Sequence, residues 1–155
     1  MTAAPQPPPA LTELKLTDAM KEAVNSSYMS GKPMVVAYVD ENGQPSLSYR
    51  GSAQAYSDTA LAVWVRNPDG GLAKALPKNA RVTLLYRDPG PENRAMLVFR
   101  GVGRIDESEA ARRQVYDSSP EPERNADREE KGKALIVELE RVDGFMPGAR
   151  VMMRK

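Results

Sequence analysis

The chain has 155 residues, and its 22 basic and 21 acidic side chains leave a formal net charge of +1, which predicts no general attraction to nucleic acid or anionic membranes. It contains no cysteine and no histidine, which excludes disulfides, Ser–His catalysis and the usual zinc and haem ligands. No apolar run approaches the ~18 residues of a membrane span, so we expect a cytoplasmic protein with no metal site, in which an organic cofactor supplies any reactive chemistry.

The N-terminal segment differs in composition from the rest of the chain. Residues 1–10 hold four prolines and no large side chain beyond Met1. This composition predicts a disordered, proline-rich tail over residues 1–12. The remaining residues, 13–155, are of a length that predicts one domain.

Three helices are predicted from capping and turn residues. Thr17 is placed to cap a helix that ends near Met29. A short helix is expected over Gly70–Leu76, because glycines precede it and a proline follows. Asp106 is placed to cap another helix, with Glu109 three residues later as in a capping box.

Six apolar or alternating segments predict strands joined mostly by hairpins. The sharpest turn signal is Asn42-Gly43, and glycines at 101 and 103 predict a bulge in the fifth strand. The six strands are Met34–Val39, Ser46–Ala55, Thr59–Arg66, Arg81–Tyr86, Ala95–Ile105 and Ala134–Arg141. Short spacing without strict alternation of strands and helices predicts a mainly β fold, an antiparallel barrel with helices packed outside it.

The segment TALAVWVRNPDGGLAKAL, residues 59–76, carries the most focused chemistry in the chain. An apolar strand ends on Arg66, and the next helix begins beside Gly70 and Gly71 and carries Lys74. A guanidinium, flexible backbone amides and an ammonium within a few residues are typical of an anion site, and phosphate is the usual anion. The alternative is a strand-end arginine that lies in solvent or in a surface ion pair.

Other polar and aromatic side chains have two interpretations each. Arg50 shares a strand face with Ser48, and that face either lies in solvent or lines a cleft. Tyr49 and Trp64 are more often core residues than stacking partners of a ligand. Glutamates at 121, 123, 129 and 130 lie in a run of charges, which favours a solvated surface.

Three short motifs give the chain a family resemblance. They are Gly43-Gln44-Pro45 in the first hairpin, Leu76-x-x-Asn79-x-Arg81-Val82 after the short helix, and the final strand segment VELERVDG at 137–144. In this order, over about residues 16–145, the chain resembles the pyridoxamine 5′-phosphate oxidase-like, FMN-binding split-barrel superfamily. The resemblance implies a six-stranded split barrel that forms a homodimer, with FMN in a groove between the two chains.

The same resemblance implies roles for individual residues. The phosphate would be held by the basic side chains of Arg50, Arg66 and Lys74. The backbone amides of Gly70 and Gly71 would add donors. Ser48 and Tyr49 would lie along the isoalloxazine ring, with Trp64 near it.

The function implied by the resemblance is that of a small FMN-dependent oxidoreductase acting on a small-molecule substrate or electron donor. Two alternatives stay open from the sequence. The cofactor could be a deazaflavin, as in related reductases of this fold, or the protein could be a non-catalytic flavin-binding module.

Overall fold

The computed structural model describes residues 2–155, and the chain is mainly β, as the sequence predicts. The helices are α1 (Asp18–Ser26), α2 (Gly71–Ala75), α3 (Glu109–Ser118) and α4 (Glu121–Asn125). The strands are β1 (Ala10–Glu13), β2 (Met34–Val39), β3 (Pro45–Arg50), β4 (Gln54–Ser57), β5 (Ala60–Val65), β6 (Arg81–Asp88), β7 (Ala95–Asp106), β8 (Lys133–Met146) and β9 (Ala149–Arg154). None of these helices is long and apolar enough to cross a membrane.

The nine strands form one mixed sheet in the order β1-β9-β8-β7-β6-β2-β3, with β5 on β8 and β4 on β5. The first half of the long strand β8 pairs with β5 and its second half with β9, while β7 lies along its other side. The pair β1–β9 is parallel, and the other pairs are antiparallel. The observed sheet therefore differs from the expected six-stranded antiparallel barrel in its number of strands and in having one parallel pair. Within residues 2–155 no ladder joins β3 to β4 or β5, so the sheet is not a closed cylinder.

One predicted strand, Ser46–Ala55, is divided into β3 and β4 by a turn at Gly51-Ser52. The Ser52 hydroxyl accepts a hydrogen bond from the Trp64 amide at 2.9 Å and donates one to the Trp64 carbonyl oxygen at 3.1 Å. This buried hydroxyl ties the end of β3 to the end of β5, where strand pairing is missing. Period-2 alternation could not show this turn, because Ser52 is compatible with a continuing strand.

Both ends of the chain contain strands that the sequence does not predict. Residues 10–12 of the expected disordered tail belong to β1, which pairs with β9. Arg150 anchors the preceding residues, since its amide donates to the Pro9 carbonyl oxygen at 2.9 Å and its Nε to that of Pro8 at 3.0 Å. Met1 lies outside the described residues.

Of the two predicted helix caps, the one at α1 is confirmed and the one at α3 is corrected. The Thr17 hydroxyl accepts from the Met20 amide at 3.2 Å, so Thr17 caps α1. At α3 the N-cap is Ser108, whose hydroxyl accepts from the Ala111 amide. Asp106 instead accepts from the Ser108 amide, which fixes the turn before the helix.

Strand β5 is buried along its whole length. Leu61, Val63 and Val65 face the interior of the sheet, and Ala60, Ala62 and Trp64 face α3. A strand buried on both faces is expected to be apolar throughout, and this one is. The first charged residue after it, Arg66, therefore emerges at the surface at the edge of the core.

Candidate functional site

The Ser52 bridge brings two arginines to the same end of the sheet. Arg50 lies two residues before Ser52, and Arg66 lies two residues after Trp64, the backbone partner of Ser52. The positive charge of Arg66 is close enough to Arg50 to lower its pKa. The sequence places these residues on separate strands, and the tertiary structure joins them.

Arg50 is a half-buried cation on the inner face of the edge strand β3. Its Nε donates to the Ser48 hydroxyl at 3.0 Å. Burial is the largest cause of the lowered pKa of Arg50. Tyr38 and Glu123 raise this pKa, and the positive charge of Arg66 lowers it further. Within residues 2–155 Arg50 has no ion-pair partner, whereas Arg66 has one. A desolvated guanidinium without a carboxylate contact is a favourable place for an anion.

Arg66 is exposed and lies beside a carboxylate from a distant segment. Its Nε is 3.8 Å from an oxygen of Glu123 on α4. The Glu123 side chain is only 16% exposed, because it lies over Gly51 and Tyr28. A Cβ atom on Gly51 would lie 2.5 Å from Glu123 Oε1, so glycine leaves the room that this carboxylate occupies.

The start of α2 approaches the same region through Tyr38. A Cβ atom on Gly71 would lie 2.9 Å from the Tyr38 hydroxyl oxygen, so the helix start and this hydroxyl are neighbours. Gly70 is the N-cap and has no side-chain cap, and Lys74 projects from the last turn with an exposed side chain. We refer to Tyr38, Ser48, Arg50, Arg66, Gly71 and Glu123 as the arginine cluster.

Two of the predicted ligand-contacting residues lie apart from the arginine cluster. Tyr49 faces away from Ser48 and Arg50, because neighbouring residues of a strand point to opposite faces. Its side chain is 72% exposed on the outer face, beside Leu47 at 73%.

Trp64 is enclosed in the core beneath α3. Its Nε1 donates to Asp127 at 2.8 Å, and its ring meets that of Tyr116 edge to face at 5.2 Å, with the Arg112 guanidinium 5.1 Å from the ring centre. Only 2% of the residue is exposed, which argues against direct contact with a ligand. Burial opposes ionisation of Asp127, but hydrogen bonds from Trp64, Gly132 and Lys131 outweigh it and lower its pKa.

Two members of the arginine cluster, Tyr38 and Glu123, are not predicted from the sequence. Tyr38 is an alternating strand residue with nothing to distinguish it, and Glu123 lies in a charge run whose average behaviour is solvation. Only the packing of α4 on Gly51 separates Glu123 from its neighbours. Within residues 2–155 no group of three or more acidic side chains is arranged to hold a metal ion.

Comparison with known proteins gives no match by sequence and clear matches by structure. Neither protein-family models nor curated proteins match the chain. HupZ of Group A Streptococcus superposes with a TM-score of 0.66 at 20% identity, covering 87% of this chain and 98% of HupZ.

Two further structures resemble the chain in the same way. A proposed pyridoxamine 5′-phosphate oxidase from Lactobacillus delbrueckii has a TM-score of 0.60 at 19% identity, with 85% of this chain and 96% of that one covered. An FMN-binding protein from Syntrophomonas wolfei has a TM-score of 0.59 at 8% identity, with coverage of 80% and 84%. At these identities the likeness concerns the fold.

Proposed function

Because the chain has the fold of the pyridoxamine 5′-phosphate oxidase-like split-barrel proteins, we propose that it binds FMN and acts as a small flavin-dependent oxidoreductase. The observation that carries the proposal is the half-buried Arg50 beside Arg66, with no ion-pair partner for Arg50 in residues 2–155. The arginine cluster would hold the phosphate, and the flavin ring would supply hydride or electron transfer when bound.

Without a ligand, Arg50 is a half-buried cation that has no ion-pair partner in residues 2–155. Burying a cation without a partner costs free energy, and a phosphate would offset that cost through charge-assisted hydrogen bonds. Arg50 and Arg66 provide the charge, and the Ser48 hydroxyl orients the Arg50 guanidinium. Lys74 and the amides of Gly70 and Gly71 are adjacent donors that we assign to the outer side of the same phosphate.

The negative charge of Glu123 is a reason to test a deazaflavin beside FMN as the cofactor. Two arginines and one carboxylate leave the arginine cluster with one net positive charge. That charge suits a singly charged phosphodiester, as in a deazaflavin, as well as a phosphomonoester. Competitive titration of FMN against a deazaflavin decides between them.

Replacing Arg66 by alanine tests the phosphate role directly. We expect Arg66→Ala to weaken FMN binding about tenfold or more, because one charge-assisted hydrogen bond contributes ~1.5–3 kcal/mol. The measurement is quenching of flavin fluorescence, repeated with riboflavin, which lacks the phosphate.

Riboflavin and a surface arginine provide the controls. The affinity for riboflavin should be the same in Arg66→Ala and in the unmodified protein. Arg94→Ala, which alters an exposed arginine in the β6–β7 loop, should leave both affinities unchanged. An equal loss of riboflavin and FMN affinity in Arg66→Ala would place Arg66 away from the phosphate.

We also propose that two copies of the chain pair through the outer face of β2 and β3. On this face Leu47 pairs with Ala37 and Tyr49 with Val35, which forms an apolar patch on an edge strand. The helices do not cover this outer face. Helix α1 contacts β4, and α3 contacts β4, β5 and β8. Helix α2 contacts β2 next to the Tyr38 hydroxyl, which belongs to the arginine cluster. Exposed apolar side chains on an unpaired edge favour association. A groove between the copies would lie beside Arg50, on the same edge strand.

Charged substitutions on this face should produce a monomer. We expect the unmodified protein to sediment with the mass of two chains and the double variant Leu47→Asp, Tyr49→Asp with the mass of one, since each buried carboxylate would be strongly unfavourable. Met29→Asp is the matched control, because Met29 is also 69% exposed but lies in the turn after α1. A dimer that survives the double substitution would contradict this interface.

Reduction by a nicotinamide donor separates the enzyme from a non-catalytic flavin-binding module. The chain has no histidine, and we expect tyrosine, lysine or water to supply any proton. The oxidoreductase proposal expects bound flavin to be bleached by NADH or NADPH in the absence of oxygen. Flavin that stays oxidised with both donors would favour the binding module.

A further inference from the structure

One side of the sheet is left open by the helices and carries a concentration of arginines. The register of β6, β7, β8 and β9 aligns their outward side chains in rows that run across the four strands. Helix α3 packs on the first half of β8, around Ala134 and Ile136, and leaves the rows beyond it exposed. We call the outward side chains of residues 83–87, 96–100, 141–145 and 150–154 the β6–β9 face.

The β6–β9 face is strongly positive, although the chain as a whole has a formal net charge of +1. Five guanidiniums stand against one carboxylate on it. The charged residues are Arg87, Arg100, Arg141, Arg150, Arg154 and Asp143. Beyond the face, Arg81 and Arg104 are ion-paired with Glu140 and Glu138, so they add no net charge. The charge of the whole chain, which predicts no general attraction to nucleic acid, averages over this face, whereas a basic patch attracts an anionic partner locally.

Asp143 orients three of the arginines without neutralising them. Its Oδ2 accepts from Arg100 at 3.2 Å and from Arg141, and its Oδ1 accepts from Arg154 at 2.8 Å. Burial opposes ionisation of Asp143, but hydrogen bonds from Arg141 and Arg154 outweigh it and lower its pKa. Each guanidinium has five N–H donors and gives one of them to Asp143. The three side chains are 44–50% exposed, so most of their donors face solvent.

Apolar side chains lie between these arginines. Met96, Phe145 and Met152 are 37–47% exposed. Phe145 is directly opposite Met96 on β7 and Arg150 on β9. An exposed aromatic ring beside guanidiniums on an open sheet surface is an arrangement on which unpaired bases stack.

The same side chains favour a phosphate backbone over an acidic peptide. All the cations of the face are arginines, whose planar guanidiniums bind phosphate oxygens bidentately and also stack on bases. Neighbouring strands are ~4.8 Å apart, so Arg100, Arg141 and Arg154 form a line about 10 Å long across the sheet. A flexible single strand would follow this line with its phosphates and place a base on Phe145. An acidic peptide would use the charges and leave the ring unused.

We propose that the β6–β9 face binds single-stranded nucleic acid without sequence preference. The arginines contact phosphates, and Phe145 stacks on a base. This inference goes beyond flavin binding and does not depend on it, because none of these residues belongs to the arginine cluster. The two proposals therefore fail independently.

Fluorescence anisotropy of a labelled oligothymidine about 12 nucleotides long, titrated with the full chain, tests the site. At about 50 mM salt we expect a dissociation constant of about 100 µM or lower. The logarithm of the affinity should fall with the logarithm of the salt concentration with a slope of about −2 or steeper, as for three or more phosphate contacts. Weaker binding, or an affinity that does not change with salt, overturns the proposal.

Two double variants with the same change of net charge test the arginines. Arg100→Gln with Arg154→Gln keeps the Arg141 ion pair, and we expect affinity to fall at least about tenfold and the salt slope to lose about 1.4. Arg128→Gln with Lys131→Gln removes two exposed cations from the segment after α4 and should change the affinity by less than about twofold. Equal losses in the two double variants overturn the assignment.

Phe145→Leu distinguishes a nucleic acid from an acidic protein as the partner. The variant keeps an apolar side chain and removes the ring, so the affinity for oligothymidine should fall at least about fivefold. Tighter binding of polyglutamate than of oligothymidine, with both affinities unchanged in Phe145→Leu, would assign the face to an acidic protein and overturn the proposal.

Arg66→Ala provides the control for the flavin site, and it should bind oligothymidine as the unmodified protein does. A loss in this variant equal to that of Arg100→Gln with Arg154→Gln would move the binding to the arginine cluster and overturn the proposal. The thermal midpoint of each variant verifies folding.

Discussion

Replacing Arg50 by methionine should weaken FMN binding by about 10- to 100-fold, because a half-buried guanidinium contributes ~1.5–3 kcal/mol to a phosphate contact. Methionine keeps much of the apolar stem and removes the charge. The loss should exceed that of Arg66→Ala, since Arg66 is exposed and shares its charge with Glu123. Titration by flavin fluorescence measures both variants.

The apo protein gives a second readout with the opposite sign. Burial lowers the pKa of Arg50, which means that folding makes the charged form less favourable. Removing that charge should therefore raise the thermal midpoint of the apo protein, while the additional stabilisation by FMN disappears. An arginine that serves the fold alone would show the reverse, a lower apo midpoint with FMN affinity unchanged.

Glu123→Gln is the matched variant that should act in the other direction. It keeps the side-chain size over Gly51 and removes the negative charge 3.8 Å from Arg66. FMN affinity should rise about three- to tenfold, which corresponds to about 0.6–1.4 kcal/mol of relieved competition between Glu123 and the phosphate for Arg66. A fall in affinity would show that Glu123 positions Arg66 for the anion instead of competing with it.

Replacing Gly144 by alanine should produce the largest loss of stability, about 3 kcal/mol or more. Gly144 has φ of +135°, a conformation that costs an L residue ~1–3 kcal/mol. A Cβ atom there would also lie 1.9 Å from the Met96 carbonyl oxygen of the paired strand β7. The ladder between β7 and β8 would have to open, and for this size of domain the thermal midpoint should fall by about 6–12 °C.

Gly148→Ala separates the cost of backbone strain from the cost of steric overlap with a neighbouring strand. Gly148 has φ of +75°, but a Cβ atom there would meet nothing within 4 Å. The expected cost is the backbone term alone, about 1 kcal/mol. Equal losses in Gly144→Ala and Gly148→Ala would contradict the close approach of β7 to Gly144.

Local turns and bulges could be predicted from the sequence alone. The Asn42-Gly43 turn is confirmed, with Gly43 at φ of +80° and Asp40 accepting from the Asn42 and Gln44 amides. The bulge predicted from the strand glycines is also confirmed, by a register shift between Arg100 and Gly101. Such features depend on the conformational limits of a few neighbouring residues, so a local pattern is enough.

The sequence by itself determined the mainly β class, the Thr17 cap and the face that Ser48 shares with Arg50. The tertiary structure decided that this face lies inward, because alternation relates side chains to one another and not to a core. It also placed Glu123 beside Arg66. These arrangements depend on long-range packing, which no local pattern encodes.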